Sequence, residues 1–178
     1  GQISLGHAAF FGTGAYATAV LTVTGTPLAP ALIAGIVSAG ILGLVVGLAS
    51  LRVRHDFLAI TTMGVGFLFL VFVRKQEWLG GELGISRIPP VGVGDIGYML
   101  IVVALSALAV AFSLYVKKAW IGFAFDAVAD DEDAAQTVGV DVSRYKLTAF
   151  ALGTAIAGLA GGLYDQFTRF IIPDAFNF

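Results

Sequence analysis

The chain has 178 residues, 58% of them hydrophobic and 12% charged, with a mean hydropathy of +0.91 and a formal net charge of −2. Soluble domains carry roughly 25% charged residues, so this composition excludes an ordinary soluble domain and indicates an integral membrane protein. The absence of cysteine excludes disulfides and thiolate metal sites, and the two histidines, His7 and His55, are too few for a histidine-based metal cluster.

The chain opens inside a glycine-rich apolar stretch without an initiating Met, a basic n-region or a cleavage site. It reads as an internal portion of a longer polytopic protein with no signal peptide. A helix needs about 20 apolar residues to cross about 30 Å of hydrocarbon. Five windows meet or approach that length: 8–24, 28–51, 57–73, 96–116 and 147–164. None contains Asp, Glu, Lys or Arg, and one such charge at a helix centre costs roughly 2.5–3.5 kcal/mol on insertion scales. The expected fold is all-α: a polytopic transmembrane helical bundle of about five spans, with residues 1–178 forming part of one transmembrane domain.

The connections suit that reading. Gly25-Thr26-Pro27 is a tight uncharged turn, and a second short connection carries Arg52 and Arg54. The long loop 74–95 is rich in glycine and proline and ends on Asp95, a residue type that caps helix N-termini. Five crossings place Arg52, Arg54, Lys117, Lys118, Arg144 and Lys146 on one side, against Arg74, Lys75, Arg87 and Arg169 on the other. The excess points loop 117–146 toward the cytoplasm and loop 74–95 to the outside. The first helix then runs from inside to outside. Small residues mark helix contacts in lipid. Gly35, Ala39, Gly43 and Gly47 form such a ladder in the second span, and Gly153, Ala157 and Gly161 form one in the fifth, with Gly158 and Gly162 beside them.

The loop between the last two spans holds six of the twelve acidic residues and predicts a helix over 120–138 lying outside the membrane. Asp126, Asp130 and Asp133 share one face at helical spacing. Ile121, Phe125, Val128 and Ala135 lie largely on another. Gly139 suits the C-terminal end of that helix, and Asp141 or Ser143 the start of the next.

Four stretches together resemble the branched-chain amino acid permease family of ABC importers, of the LivM type. The first, Gly1-Gln2-Ile3-Ser4-Leu5-Gly6-His7-Ala8-Ala9-Phe10-Phe11-Gly12, resembles the family's G-x-x-S-L-G-H-A-A-F-F-G. Leu51-Arg52-Val53-Arg54 followed by Phe57-Leu58-Ala59-Ile60-Thr61-Thr62-Met63-Gly64 resembles L-R-L-R-G-x-Y-L-A-I-x-T-L-G. Asp131-Glu132-Asp133-Ala134-Ala135 through Gly139 resembles the E-A-A…G cytoplasmic loop. Ala157 to Tyr164, then Pro173 to Phe176, resembles A-G-L-A-G-A-L-Y … P-x-S-F.

The resemblance implies a multi-pass plasma (inner) membrane permease that performs no bond chemistry itself. Its implied partners are a second permease subunit, cytoplasmic ABC ATPase subunits and an extracytoplasmic solute-binding protein, beside the lipid bilayer; no nucleic-acid partner is expected. It also implies that the loop helix docks on the ATPase, with Glu132, Asp133, Ala134, Ala135 and Gly139 as coupling residues. The chain departs from the pattern in two places. Phe123, Asp126 and Ala129 stand where the family's loop has arginine, and Gly64-Val65-Gly66-Phe67 replaces G-F-G-E, so a carboxylate in the third span is absent.

Ser4, His7, Thr61 and Thr62 are candidates for lining the path, because intramembrane polar groups are costly and kept for function. Without G-x-x-x-x-G-K-[ST] the chain has no P-loop, so no cofactor is expected on it and ATP belongs to partner subunits. The alternatives are a permease for urea or short amides, a polytopic membrane enzyme using His7, His55-Asp56 and the acidic loop, and a fragment that does not transport.

Overall fold

Inside a bilayer every backbone polar group must be paired within the chain, which makes the helix the natural form of these apolar runs. The computed structural model describes residues 6–50 and 55–176; Ser4, Arg52 and Arg54 lie outside the described residues. Seven helices follow in order: α1 (His7–Val23), α2 (Leu28–Ser50), α3 (His55–Lys75), α4 (Gly94–Lys118), α5 (Trp120–Asp130), α6 (Glu132–Thr137) and α7 (Val142–Thr168). Among the described residues, α2, α4 and α7 are long and apolar enough to cross a membrane. With 17 residues, α1 rises about 26 Å, slightly less than the hydrocarbon thickness, and α3 ends in Arg74 and Lys75. The all-α membrane fold is as expected, with three of the five expected spans resting on length and apolarity.

The core is a three-helix cluster of α1, α2 and α7, each packed on the other two. Helix α2 runs antiparallel to the other two, which are parallel to each other. Small residues allow this approach. A side chain built on Gly14 would overlap the backbone of Gly158, and one on Gly161 the backbone of Phe11. Gly35 and Ala39 of α2 meet Gly158 as well, while Gly43 meets Thr154 and Gly47 meets Phe150. The ladder expected in the second span is therefore a contact face. The one expected in the fifth is displaced: Gly153 faces open space, and the stripe runs through Thr154, Gly158, Gly161 and Gly162. Because α7 serves two neighbours, its buried stripe must be two residues wide, which the single i, i+4 series does not capture. Buried polar groups cross the same core. Thr18 Oγ1 donates to the Ala31 carbonyl at 3.3 Å, and Gln166 Nε2 donates to Thr22 Oγ1 at 3.1 Å.

One end of the three-helix core is capped by the loop after α3 and the segment after α7. Strand β1 (Ile85–Ser86) pairs antiparallel with β2 (Phe170–Ile171), Ile85 opposite Ile171. Phe176, on a 3-10 turn Pro173–Phe176, inserts among Phe11, Tyr16 and Phe69 with ring centroids 5.9–6.2 Å apart. Leu79, Ile88 and Ile171 complete this cluster, and Arg74 pairs with Asp174 across it.

Helix α4 has no buried residue. The Tyr98 hydroxyl donates to the Leu163 carbonyl, and Asp95 lies 3.6 Å from Arg169. Asp95 thus falls within the first turn of α4 and makes no capping hydrogen bond; its carboxylate turns to Arg169.

Candidate functional site

At the end opposite the cap, the expected single helix over 120–138 is two helices. Asp131 breaks it. Its backbone is extended (φ −156°, ψ 112°), and its side chain accepts hydrogen bonds from the Asp133 and Ala134 amides at 2.9 and 3.0 Å. An aspartate that satisfies the orphan donors of a new helix start competes with continuation of the old one. The far end of α6 closes as anticipated at Gly139, whose φ is +86°. The Gly139 amide donates to the Gln136 carbonyl and the Val140 amide to the Ala135 carbonyl, both at 3.0 Å. This is the reciprocal pattern of a Schellman stop. Asp141 then caps α7, accepting from the Arg144 amide at 3.1 Å.

The unit so formed has its own small core. Val128, Ala135 and Val142 are buried together, with Ala127, Val140 and Tyr145 packed around them, and Phe125 meets Tyr145 edge to face at 6.0 Å. Glu132 pairs with Lys146 at the base of α7. The inner side chain of α6 is therefore Ala135, only 3% exposed, while Asp133, Ala134 and Gly139 face outward. Trp120, Phe123 and Val138 are large apolar side chains exposed on the same unit.

The path candidates separate. His7 is exposed at the mouth of a cavity of about 740 Å³ that Glu132, Asp133, Lys146 and Thr154 also line. Thr62 is fully buried and meets Gly6, and Thr61 is half-buried on α3. The structure thus brings His7 to the acidic loop and keeps the two threonines apart from it. The sequence windows missed Asp165, because the fifth was closed at Tyr164. Helix α7 continues to Thr168, and Asp165 is fully buried with neither carboxylate oxygen hydrogen-bonded among the described residues. The available signal was spacing: Asp165 follows Gly161 by four residues and so continues its buried stripe.

Sequence comparison agrees with this architecture. The chain matches the family model of the branched-chain amino acid transport system permease component over residues 1–178. It is 30% identical to the high-affinity branched-chain amino acid transport system permease protein LivM of Salmonella typhimurium and to that of Escherichia coli, in each case over all of this chain and 49% of the relative. The chain thus spans about half the length of these curated relatives. No solved structure matches. A helical membrane fold, small-residue interfaces and a match from the first residue to the last lead to one conclusion: the chain belongs to the branched-chain amino acid transport system permease family.

Proposed function

We propose that this chain is part of the pore-forming permease of an ATP-binding-cassette importer for branched-chain amino acids in the plasma (inner) membrane. It pairs with a second permease subunit and receives solute from an extracytoplasmic binding protein. Cytoplasmic ATPase subunits bind the ATP and drive it, and the chain itself makes and breaks no bonds. The α5–α6 end faces the cytoplasm, and the β1–β2 cap faces outward, in keeping with the excess of Lys and Arg beside the α5–α6 end.

The observation that carries this reading is the construction of α6. It is short, stopped at both ends by side-chain and glycine caps, and tied to α7 by Ala135 and by the Glu132–Lys146 pair. A push on its outer face therefore moves α7, and α7 packs on both α1 and α2. Asp133, Ala134 and Gly139 form the outward docking face; Glu132 and Ala135 hold that face to the bundle. With Phe123, Asp126 and Ala129 in place of arginine, the contact is more apolar than in relatives, and the exposed Trp120, Phe123 and Val138 suit it.

The test is affinity purification of the full-length protein from its own membranes. A P-loop ATPase is expected to co-purify and to be lost when Ala134 is replaced by Arg, with membrane insertion unchanged. Retention of the ATPase by Ala134→Arg and by deletion of 120–139 alike overturns the docking assignment.

A further inference from the structure

The space between α4 and the core offers a site of a different kind. Because α4 has no fully buried residue and is tied to α7 at Tyr98 and Asp95, a cavity of about 850 Å³ remains between α4, α7 and Phe11 of α1. That volume lies within the usual range for small-ligand pockets. Its interior is apolar, with Phe11, Val102, Leu163 and Phe167 among the walls. Its rim is not. Asp95 and Arg169 stand there with opposite charges at 3.6 Å, and their side chains are 97% and 55% exposed. Of the other polar groups, the Tyr98 hydroxyl is on the Leu163 carbonyl and the Gln166 amide on Thr22, while the uncharged hydroxyls of Ser106 and Tyr164 also line the space. An exposed, loosely made ion pair contributes little, so exchanging each partner for a ligand charge costs little.

We propose that this cavity binds the amino acid solute as a zwitterion. Arg169 takes the carboxylate, Asp95 takes the ammonium group, and the branched side chain lies between α4 and α7. One charge of each sign at the rim over an apolar interior matches an amino acid with an apolar side chain and disfavours acidic and basic ones, which would bring an unpaired charge into the apolar part. The guanidinium geometry suits a carboxylate. Arg169 is also the αL residue that ends α7, with φ +56° and its amide on the Asp165 carbonyl at 2.8 Å, so the helix end sets its position. This proposal rests on the permease reading above.

The experiment uses the complete importer carrying Val102→Cys, the one cysteine among residues 1–178, and follows maleimide labelling of the peptide that bears it by mass. Met99→Cys on the same wall serves where Val102→Cys does not assemble. Leucine is expected to slow labelling, with glutamate and lysine without effect. Arg169→Gln is expected to raise the protecting leucine concentration about tenfold, the loss of one charge-assisted contact, with labelling in the absence of leucine unchanged. Labelling that is blocked whether or not leucine is present shows that a lipid, zwitterionic headgroups included, or another helix fills the space, and overturns the site. An importer that transports leucine while leucine leaves labelling unchanged overturns the site and spares the permease reading. An assembly that transports no leucine overturns both.

Discussion

Gly14 and Gly158 bring two helix backbones into contact, and Gly153, five residues before Gly158, meets nothing. The pair makes a matched test. Gly158→Leu drives a side chain into Ala39 and the Gly35 backbone of α2, so its cost is expected at or above the upper end of the roughly 1–3 kcal/mol typical of overpacking, read as a lower midpoint of thermal unfolding in detergent. Gly153→Leu is expected to leave that midpoint in place. Asp165 gives a second residue-scale prediction. A buried carboxylate without a donor is destabilising, so Asp165→Asn in the intact protein is expected to hold or raise the midpoint; a fall shows that the carboxylate is paired, with Gln166 beside it the first donor to test. The sequence made Gly139 and Asp141 legible because their roles depend on chemistry within a few neighbours. Asp165 and the idleness of Gly153 were hidden because each depends on which helices stand beside α7, and spacing along one helix does not carry that information.

At the scale of the element, α6 has only six residues, too few to be stable alone, so its caps and inner contact decide its existence. Asp131→Ala is expected to cost about 1 kcal/mol, seen as faster hydrogen exchange of the amides of residues 133–137 while those in the middle of α7 stay protected. The Glu132–Lys146 pair invites a charge exchange. Glu132→Lys and Lys146→Glu are each expected to weaken ATPase association by about 1 kcal/mol, and the double exchange to restore most of it; single variants with full association would remove the pair from the coupling path. The break between α5 and α6 was not legible, since aspartate is tolerated within a helix as well as at its start, and periodicity over 120–138 continues across it. The division into an acidic outer face and an apolar inner face was legible, because Val128 and Ala135 keep their inward positions on either side of the break.

Across the whole molecule, the cap joins two segments distant in sequence: the end of α3 with the β1 loop that follows it, and the stretch after α7. Phe176 is 4% exposed within its aromatic cluster, and Phe176→Ala is expected to cost about 3–5 kcal/mol, measured as earlier unfolding. Asp174→Asn removes only an exposed ion pair with Arg74 and is expected to change the midpoint by less than about 1 kcal/mol. The strand pairing behind this cap could not be read from the chain, because two-residue strands have no period and their register is set by α1 and α7 already lying side by side. The helical membrane class was legible because the bilayer acts on each apolar run separately. Order along the chain has a further consequence for how the molecule is made. Helices α1 and α2 leave the ribosome long before α7, separated from it by the residues between Ser50 and Val142. At synthesis rates of about 5–20 residues per second, that gap lasts roughly 5–20 seconds, during which the glycine and threonine faces of the early hairpin have no α7 to receive them. Biogenesis therefore includes an interval in which the narrowest faces of the protein are open to foreign helices.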